Sequence, residues 1–324
     1  MEPERFLPLL AGPSTCVSCG AHEVRPLHVF PVNHNKPRVT QQLNLALLGC
    51  ERCGLVFSSP SPSAEELRVY YGSRGEGWDR RIAVEPERMA AKLARKRASN
   101  ARDYALFASN AELPVGTRRA LDFGCGIGGW LDVLAADGWE TAGIEPGGRA
   151  AAAAKERHRM LHEIPEEPSF ELVIAHHTLE HLDDPLATLR RLALATTSRG
   201  LIYVSVPNFM HLPEHADFTY IASDKHISSF TPESLGALFA LAGFELLDHS
   251  NSESWRTPVE HPHNLTRLAV VGRRSDAELP LPVDPLNSAI EALRGYAAGR
   301  PEPRPQRHVS IARRILRRAR RLLV

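Results

Sequence analysis

A glycine-rich turn joins a short apolar segment to a predicted helix in the sequence Leu121-Asp122-Phe123-Gly124-Cys125-Gly126-Ile127-Gly128-Gly129-Trp130. Gly124, Gly126 and Gly129 match the G-x-G-x-x-G spacing of dinucleotide-binding turns. Glu145 follows about 20 residues later, where such sites place a carboxylate on a ribose. These residues alone make NAD a candidate ligand.

Asp122 favours a different ligand. It stands two positions before Gly124, where a pyrophosphate would meet a carboxylate and be repelled. A ligand with a cationic amine would be attracted to the same place. S-adenosylmethionine carries such an amine, a sulfonium charge and a ribose diol for Glu145, so the residues favour it over NAD.

Strand and helix patterns alternate on both sides of the turn. The sequence predicts strands over 120–123, 141–144, 172–175, 201–206, 244–248 and 265–271, with helices ending at 136 and over 150–157, 185–195 and 232–242. A charged helix is expected earlier, from about 86 to 107. This alternation predicts an α/β domain whose parallel sheet has helices on both faces.

The order of these motifs resembles the class I S-adenosylmethionine-dependent methyltransferases. The glycine-rich turn is followed by Gly143-Ile144-Glu145-Pro146, Phe170–Ile174, Thr178–Pro185 and Gly243-Phe244. The resemblance spans roughly residues 115–272 and implies a Rossmann-like fold with a mostly parallel seven-stranded sheet. Glu171 departs mildly from the pattern, since that family normally has Asp there.

The resemblance also implies which residues hold the cofactor. Gly124 and Gly126 would let the backbone approach the methionine part, Glu145 would hold the ribose hydroxyls, and Glu163 with Ile164 would flank the adenine. The full cofactor-binding set is Asp122, Gly124, Cys125, Gly126, Glu145, Pro146, Glu163, Ile164 and His176. Within it, Cys125 reads as a small residue packed in the turn.

Four of the five cysteines form two knuckles of the same design, Cys16-Val17-Ser18-Cys19-Gly20 and Cys50-Glu51-Arg52-Cys53-Gly54. Each pair presents two thiolates, and two pairs complete a tetrahedral four-cysteine site with no open position. The sequence therefore predicts structural Zn²⁺ in a zinc-ribbon-like module. Two redox-active C-x-x-C motifs are the alternative, and glycine after the second cysteine argues against it.

A four-cysteine module ahead of this domain is similar to the sugar C-methyltransferases of deoxysugar pathways. Those enzymes carry Glu-His followed by Ser and an aromatic residue after the fifth strand. Here Lys225 replaces that Glu and His226 is kept, ahead of Ile227-Ser228-Ser229-Phe230. The large extra C-terminal domain of those enzymes has no counterpart in this sequence, which puts C-methylation in doubt. The resemblance implies a small, sugar-like acceptor.

Three residues are candidates for catalysis: His226, His181 and Tyr71. Both histidines follow predicted strands at the rim where open α/β sheets bind ligands, and imidazole titrates near neutrality. The resemblance implies a tyrosine that enters the site from just after the four-cysteine module; Tyr70 and Tyr71 are the candidates, and Tyr71 is the one taken as catalytic. Each histidine has a plainer interpretation as a residue that orders a loop. A divalent cation on Glu180 and His181 stays open.

The remaining sequence predicts the domain organisation. We expect a zinc-binding module (1–62), a helical connector or lid (63–112), the methyltransferase domain (113–275) and a Pro-rich linker with a tail helix (276–324), with the linker over 276–308. No apolar run suits a membrane span, and the start does not resemble a secretory signal. These features predict a cytoplasmic protein.

The tail carries an unusual charge. Residues 300–324 hold nine Arg and one acid, a local +8 within an overall +1, so the rest of the chain carries −7. In residues 310–324 arginines and apolar side chains fall on opposite faces, which is typical of a basic amphipathic helix on an anionic membrane surface. Docking on the acidic body of the protein and RNA binding are the alternatives.

These observations favour a methyltransferase that acts on a sugar, a nucleotide-sugar or a glycolipid or polysaccharide precursor. An RNA methyltransferase, a non-catalytic scaffold and an NAD-dependent oxidoreductase are the competing functions. Nucleic acid is disfavoured, because the four-cysteine segment has few basic and aromatic residues.

Overall fold

The glycine-rich turn directly follows the carboxyl end of a central strand in a seven-stranded sheet. The computed structural model describes residues 14–32, 43–61, 86–210, 226–247 and 267–298. Its strands are β1 (Val24–Val32), β2 (Leu43–Cys50), β3 (Val56–Ser59), β4 (Arg119–Phe123), β5 (Glu140–Ile144), β6 (Arg159–Met160), β7 (Phe170–His176), β8 (Thr196–Pro207), β9 (Ser228–Ser229), β10 (Phe244–Leu246) and β11 (Arg267–Arg274).

The large sheet has the order β6-β5-β4-β7-β8-β11-β10. Strands β4 to β8 pair in parallel, whereas β11 pairs antiparallel with both β8 and β10. The Rossmann-like, mostly parallel seven-stranded sheet is therefore confirmed. Since β4 lies between β5 and β7, the loops after these three strands meet at one rim, where open α/β sheets bind ligands.

The helices are α1 (Pro86–Asn110), α2 (Gly129–Ala136), α3 (Gly148–Lys155), α4 (Pro185–Ala195), α5 (Pro232–Ala242) and α6 (Asn287–Ala298), with a 3-10 turn over Leu179–His181. Local chemistry fixes two of them. Asp184 caps α4 by accepting the Ala187 amide at 2.9 Å. Thr231 caps α5 reciprocally with Ser234. The predicted bounds 185–195 and 232–242 match these helices.

Helices cover both faces of the sheet because successive strand residues point to opposite sides. On one face Val173 packs in a core with residues of α4 and α5, including Leu189 and Leu238. On the other, Leu172 packs with residues of α1 and α2, including Phe107. Such two-sided burial explains the apolar runs 172–175 in β7 and 201–204 in β8.

The N-terminal residues 14–32 and 43–61 form a second unit, which we call the four-cysteine module. Its sheet has the order β1-β2-β3-β9, so its last strand comes from the methyltransferase-like domain. Leu45, Leu47 and Val56 of the module pack against Leu286 and the buried face of α6. The structure therefore departs from the predicted linker over 276–308, because apolar residues of α6 bury themselves on the module.

None of the helices in the described part of the chain is both long and apolar enough to cross a bilayer. The predicted tail helix, residues 310–324, lies outside the described residues, as do parts of the predicted connector 63–112.

Candidate functional site

The glycine-rich turn after β4 is held open by backbone geometry that glycine adopts readily. Gly124, Gly126 and Gly128 all have positive φ, at 80°, 55° and 83°. A Cβ on Gly124 would lie 2.4 Å from Thr178 Oγ1, so this position also needs glycine for space. A Cβ on Gly126 would meet no atom within 4 Å. The turn therefore has open space on the side of Gly126, where a ligand can approach the backbone.

Glu145 lies directly beside this turn. Its two carboxylate oxygens accept the amides of Gly126, at 2.8 Å, and Gly147, at 2.7 Å. The half-buried carboxylate stands at the end of β5 and ties two rim loops together. Glu145 is thus placed beside the turn, as a ribose-binding carboxylate requires.

Asp122 is almost fully buried, with 2% of its surface exposed. Burial raises the pKa of its carboxyl to about 8; the Lys96 charge opposes this rise and the Glu145 charge adds to it. A cation bound nearby would favour the ionised form. Asp122 lies in β4, two residues before Gly124 of the turn.

The other predicted cofactor residues lie at the same rim with different exposures. Pro146 and Glu163 are exposed, whereas Ile164 is buried in the core. Cys125 is buried among Leu131, Ala154 and Met160, and burial raises the pKa of its thiol. It is a packed residue, as its place in the turn predicted.

His176, at the end of β7, packs against two aromatic rings. Its ring centroid lies 5.9 Å from that of Trp130 and 6.5 Å from that of Tyr203. Burial holds the pKa of His176 well below its usual value, so the imidazole is neutral at pH 7. Trp130 lies at the end of the glycine-rich turn, in the first turn of α2, so His176 lies next to that turn.

The two predicted catalytic histidines come together. The ring centroids of His181 and His226 lie 4.9 Å apart, in an edge-on arrangement. Glu180 and His177 complete a group that we call the Glu-His cluster: His177, Glu180, His181 and His226. Thr178, which lies within this segment, contacts Gly124, so the cluster adjoins the glycine-rich turn.

Glu180 is the buried centre of the Glu-His cluster. It is 1% exposed, and its Oε1 lies 3.1 Å from Nδ1 of His177. Burial acts to raise the pKa of Glu180, but the His177 hydrogen bond and the neighbouring imidazoles outweigh it, so the pKa falls below its usual value. An ionised carboxylate therefore faces three imidazoles.

Sequence reasoning did not identify His177. It has a positive φ of 54°, which is uncommon for a residue with a side chain and occurs often at functional sites. The spacing His177-x-x-Glu180-His181 was the available signal. Tyr71, the third predicted catalytic residue, lies outside the described residues.

The four cysteines of the module converge as predicted. Their sulfur atoms all lie within 4.8 Å of one another, with 3.8 Å between Cys16 and Cys53 and 3.5 Å between Cys19 and Cys50. A tetrahedral ion with bonds of about 2.3 Å separates its sulfur ligands by about 3.8 Å. The sulfur distances exceed that of a disulfide, about 2.05 Å. This geometry fits a four-thiolate metal site.

The first knuckle contacts the segment that follows the Glu-His cluster. Ser18 donates to Asp184 Oδ1 at 3.2 Å and accepts the Leu186 amide at 3.0 Å. Ser228 Oγ donates to the carbonyl of Leu182 at 3.2 Å. The four-cysteine module therefore contacts the start of α4, the helix that follows the 3-10 turn of the cluster.

Comparison with known proteins identifies the domain. A family model described as a methyltransferase domain matches residues 79–249. Among curated proteins no match was found.

Solved structures with a similar chain path include three S-adenosylmethionine-dependent methyltransferases. That from Thermotoga maritima is 19% identical, with 60% of this chain and 98% of that chain covered and a TM-score of 0.43. That from Mesorhizobium loti is 18% identical (54% and 98% covered, TM-score 0.42). That from Archaeoglobus fulgidus is 18% identical (55% and 94% covered, TM-score 0.42).

Proposed function

This chain belongs to the methyltransferase-domain family and is an S-adenosylmethionine-dependent methyltransferase; from that premise we propose that its acceptor is a small, sugar-like molecule bound at the Glu-His cluster. The observation that carries the proposal is the proximity of His181 and His226, whose ring centroids lie 4.9 Å apart beside the glycine-rich turn. The glycine-rich turn alone allowed either NAD or S-adenosylmethionine, and the family match supports S-adenosylmethionine.

The residues at the rim fit the cofactor. Gly126 leaves open space, Asp122 offers a buried carboxylate for a cation, and Glu145 lies where ribose hydroxyls would bind. When bound, S-adenosylmethionine supplies the methyl group and a neutral thioether as leaving group. Asp122, Gly124, Gly126 and Glu145 would orient it, with Glu163 and Ile164 toward the adenine.

The chain must then align the acceptor and remove its proton. Alignment of reacting atoms supplies much of the rate in transfers of this kind. His226 or His181 would accept the proton of an acceptor hydroxyl as the methyl group is transferred. Both imidazoles are partly exposed at the rim, and His181 lies 4.0 Å from the carboxylate of Glu180. Tyr71 stays a predicted third member.

The sugar-like acceptor rests on the similarity of the four-cysteine module and the His226 segment to sugar methyltransferases. Candidates are free sugars, nucleotide-sugars and glycolipid or polysaccharide precursors. We also infer that the four cysteines hold structural Zn²⁺, since four thiolates leave no position for a substrate. Peripheral association of residues 310–324 with an anionic membrane stays a prediction, as does the RNA-methylating alternative.

The direct test is a panel of nucleotide-sugars incubated with the full chain and S-adenosylmethionine, followed by mass spectrometry. We expect one product heavier by a methyl group, and its formation should fall strongly in His226→Ala and His181→Ala. Methylation of structured RNA, with every sugar untouched, would contradict the proposal.

A further inference from the structure

We propose that Glu180, His181 and His226 bind a divalent transition-metal cation beside the acceptor, as a second metal site separate from the four cysteines. Each of the three residues offers one ligand atom, and these atoms all lie within 4.8 Å of one another. They come from two segments distant in sequence, the 3-10 turn after β7 and the residue before Ile227-Ser228. The fold therefore brings them together.

The buried carboxylate carries the argument. Glu180 Oε1 contacts His177, but Oε2 has no hydrogen-bond partner among the described residues, although Glu180 is only 1% exposed. A buried acceptor left without a partner costs free energy, and the cost is greater for a charged group. A cation on Oε2 would remove that cost. The carboxylate that carries this oxygen lies in the same cluster as the two imidazoles.

The ligand chemistry selects the class of cation. Two imidazole nitrogens and one carboxylate oxygen are a set that binds Fe²⁺, Co²⁺ or Zn²⁺, whereas Mg²⁺ and Ca²⁺ prefer oxygen ligands. His181 Nε2 lies 4.0 Å from Glu180 Oε1. Metal bonds of about 2.1 Å in a tetrahedral site separate the ligand atoms by about 3.4 Å, so these atoms would have to approach one another by up to about 1.4 Å, which side-chain rotation can supply.

His177 would be a positioning residue for this site. Its contact with Oε1 holds the Glu180 carboxylate and leaves Oε2 for the cation. The partial exposure of the His181 side chain, 26%, leaves the cluster accessible from the rim. Three protein ligands leave open positions, which is the arrangement of catalytic rather than structural sites.

A role in the reaction follows if the proposed function holds. An acceptor hydroxyl oxygen would occupy an open position on the cation and lose its proton to solvent water. The oxygen then forms a bond to the methyl carbon, and the carbon–sulfur bond breaks with its electron pair on sulfur. The cation would thus activate the hydroxyl in place of a free imidazole.

The test measures metal binding without acceptor or cofactor. The full chain is purified with zinc in the four-cysteine site, its zinc content is measured, and Co²⁺ is added while visible absorption and calorimetry are recorded. We expect one Co²⁺ per chain, with d–d bands but no thiolate charge-transfer band. Glu180→Gln and His226→Ala should weaken binding at least about tenfold, whereas His162→Ala, which changes an exposed histidine outside the cluster, should not.

Circular dichroism on each variant checks the fold, and His226→Ala keeps the test open if Glu180→Gln fails to fold. Uptake of no Co²⁺ beyond the zinc, uptake only with thiolate bands, or equal binding in wild type and both variants would overturn the proposal. Sugar methylation that persists in chelator would overturn the catalytic role and leave the proposed function standing. Co²⁺ binding without methylation of any sugar would overturn the proposed sugar-like acceptor and leave the metal site standing.

Discussion

The backbone amide of Ser58 donates a hydrogen bond of 2.9 Å to the carbonyl of Ile227. Ser58 belongs to β3 of the four-cysteine module, and Ile227 directly follows His226. The pairing of β3 with β9 continues this contact. The module therefore holds the backbone next to His226, and β3 links the module to the Glu-His cluster.

Loss of the metal from the module should impair methyl transfer more than cofactor binding. In Cys53→Ser we expect lost zinc, a lower Tm and at least about tenfold slower transfer, because the segment of His226 loses its support. Cofactor affinity should change less, since the glycine-rich turn is held by Thr178 and Glu145, which lie outside the module. Zinc content, thermal unfolding, calorimetry with S-adenosylmethionine and product formation supply the readouts.

Arg52→Ala is the matched control for this experiment, since Arg52 is exposed within the same knuckle. It should retain zinc and activity. If Cys53→Ser loses zinc and still transfers methyl groups at the wild-type rate, the connection through Ile227 has no functional role.

The turn itself can be tested at Gly126. Gly126→Asp places a side chain in the open space at a positive φ of 55°, so we expect cofactor binding to weaken by at least about 30-fold, or about 2 kcal/mol. Gly138→Asp is the control, because Gly138 has a φ of 84° and equally open surroundings away from the turn. Calorimetry compares the two. Equal losses in both variants would assign the effect to backbone strain alone.

Local signals predicted much of this fold. The bounds of α4 and α5 followed from Pro185 and Pro232 at their starts, and Gly243 ends α5 with a φ of 82°. The glycine-rich turn and the cysteine knuckles could also be predicted, because the spacing of their residues along the sequence determines their local geometry. The mostly parallel, seven-stranded sheet came from the family resemblance, since strand pairing over long distances leaves little local trace.

What the sequence did not predict depends on distant partners. The helix α6 was missed because the prolines around it suggested a linker. Its residue Tyr296, and Leu286 just before it, pack in one cluster with Leu45 and Leu47, about 240 residues earlier. Strand β9 has only two residues and exists because β3 pairs with it. His177 was missed because its role depends on a backbone conformation that composition does not reveal.

Cofactor binding should release a proton from Asp122. Burial raises the pKa of this carboxyl to about 8, so at pH 7 most of the free protein holds it protonated. A cationic ligand favours the carboxylate, so the proton leaves on binding and affinity rises as the pH approaches 8. Calorimetry at pH 7 in buffers of different ionisation enthalpy counts the protons. Asp122→Asn should bind without this release, and identical buffer dependence in both proteins would contradict the linkage.

The glycines that end the two knuckles allow backbone strain in the knuckle to be distinguished from the packing of the chain before α6 on the second knuckle. Gly20 and Gly54 have nearly equal φ, 71° and 70°, so alanine at either position costs about 1–2 kcal/mol in backbone strain. Only at Gly54 would the new Cβ meet another element, 2.4 Å from the carbonyl oxygen of Pro285; nothing lies within 4 Å at Gly20. We therefore expect Gly54→Ala to lower the free energy of unfolding by about 1–3 kcal/mol more than Gly20→Ala, as measured by urea titration with zinc bound. Equal losses would mean that the chain before α6 does not press on the second knuckle in solution.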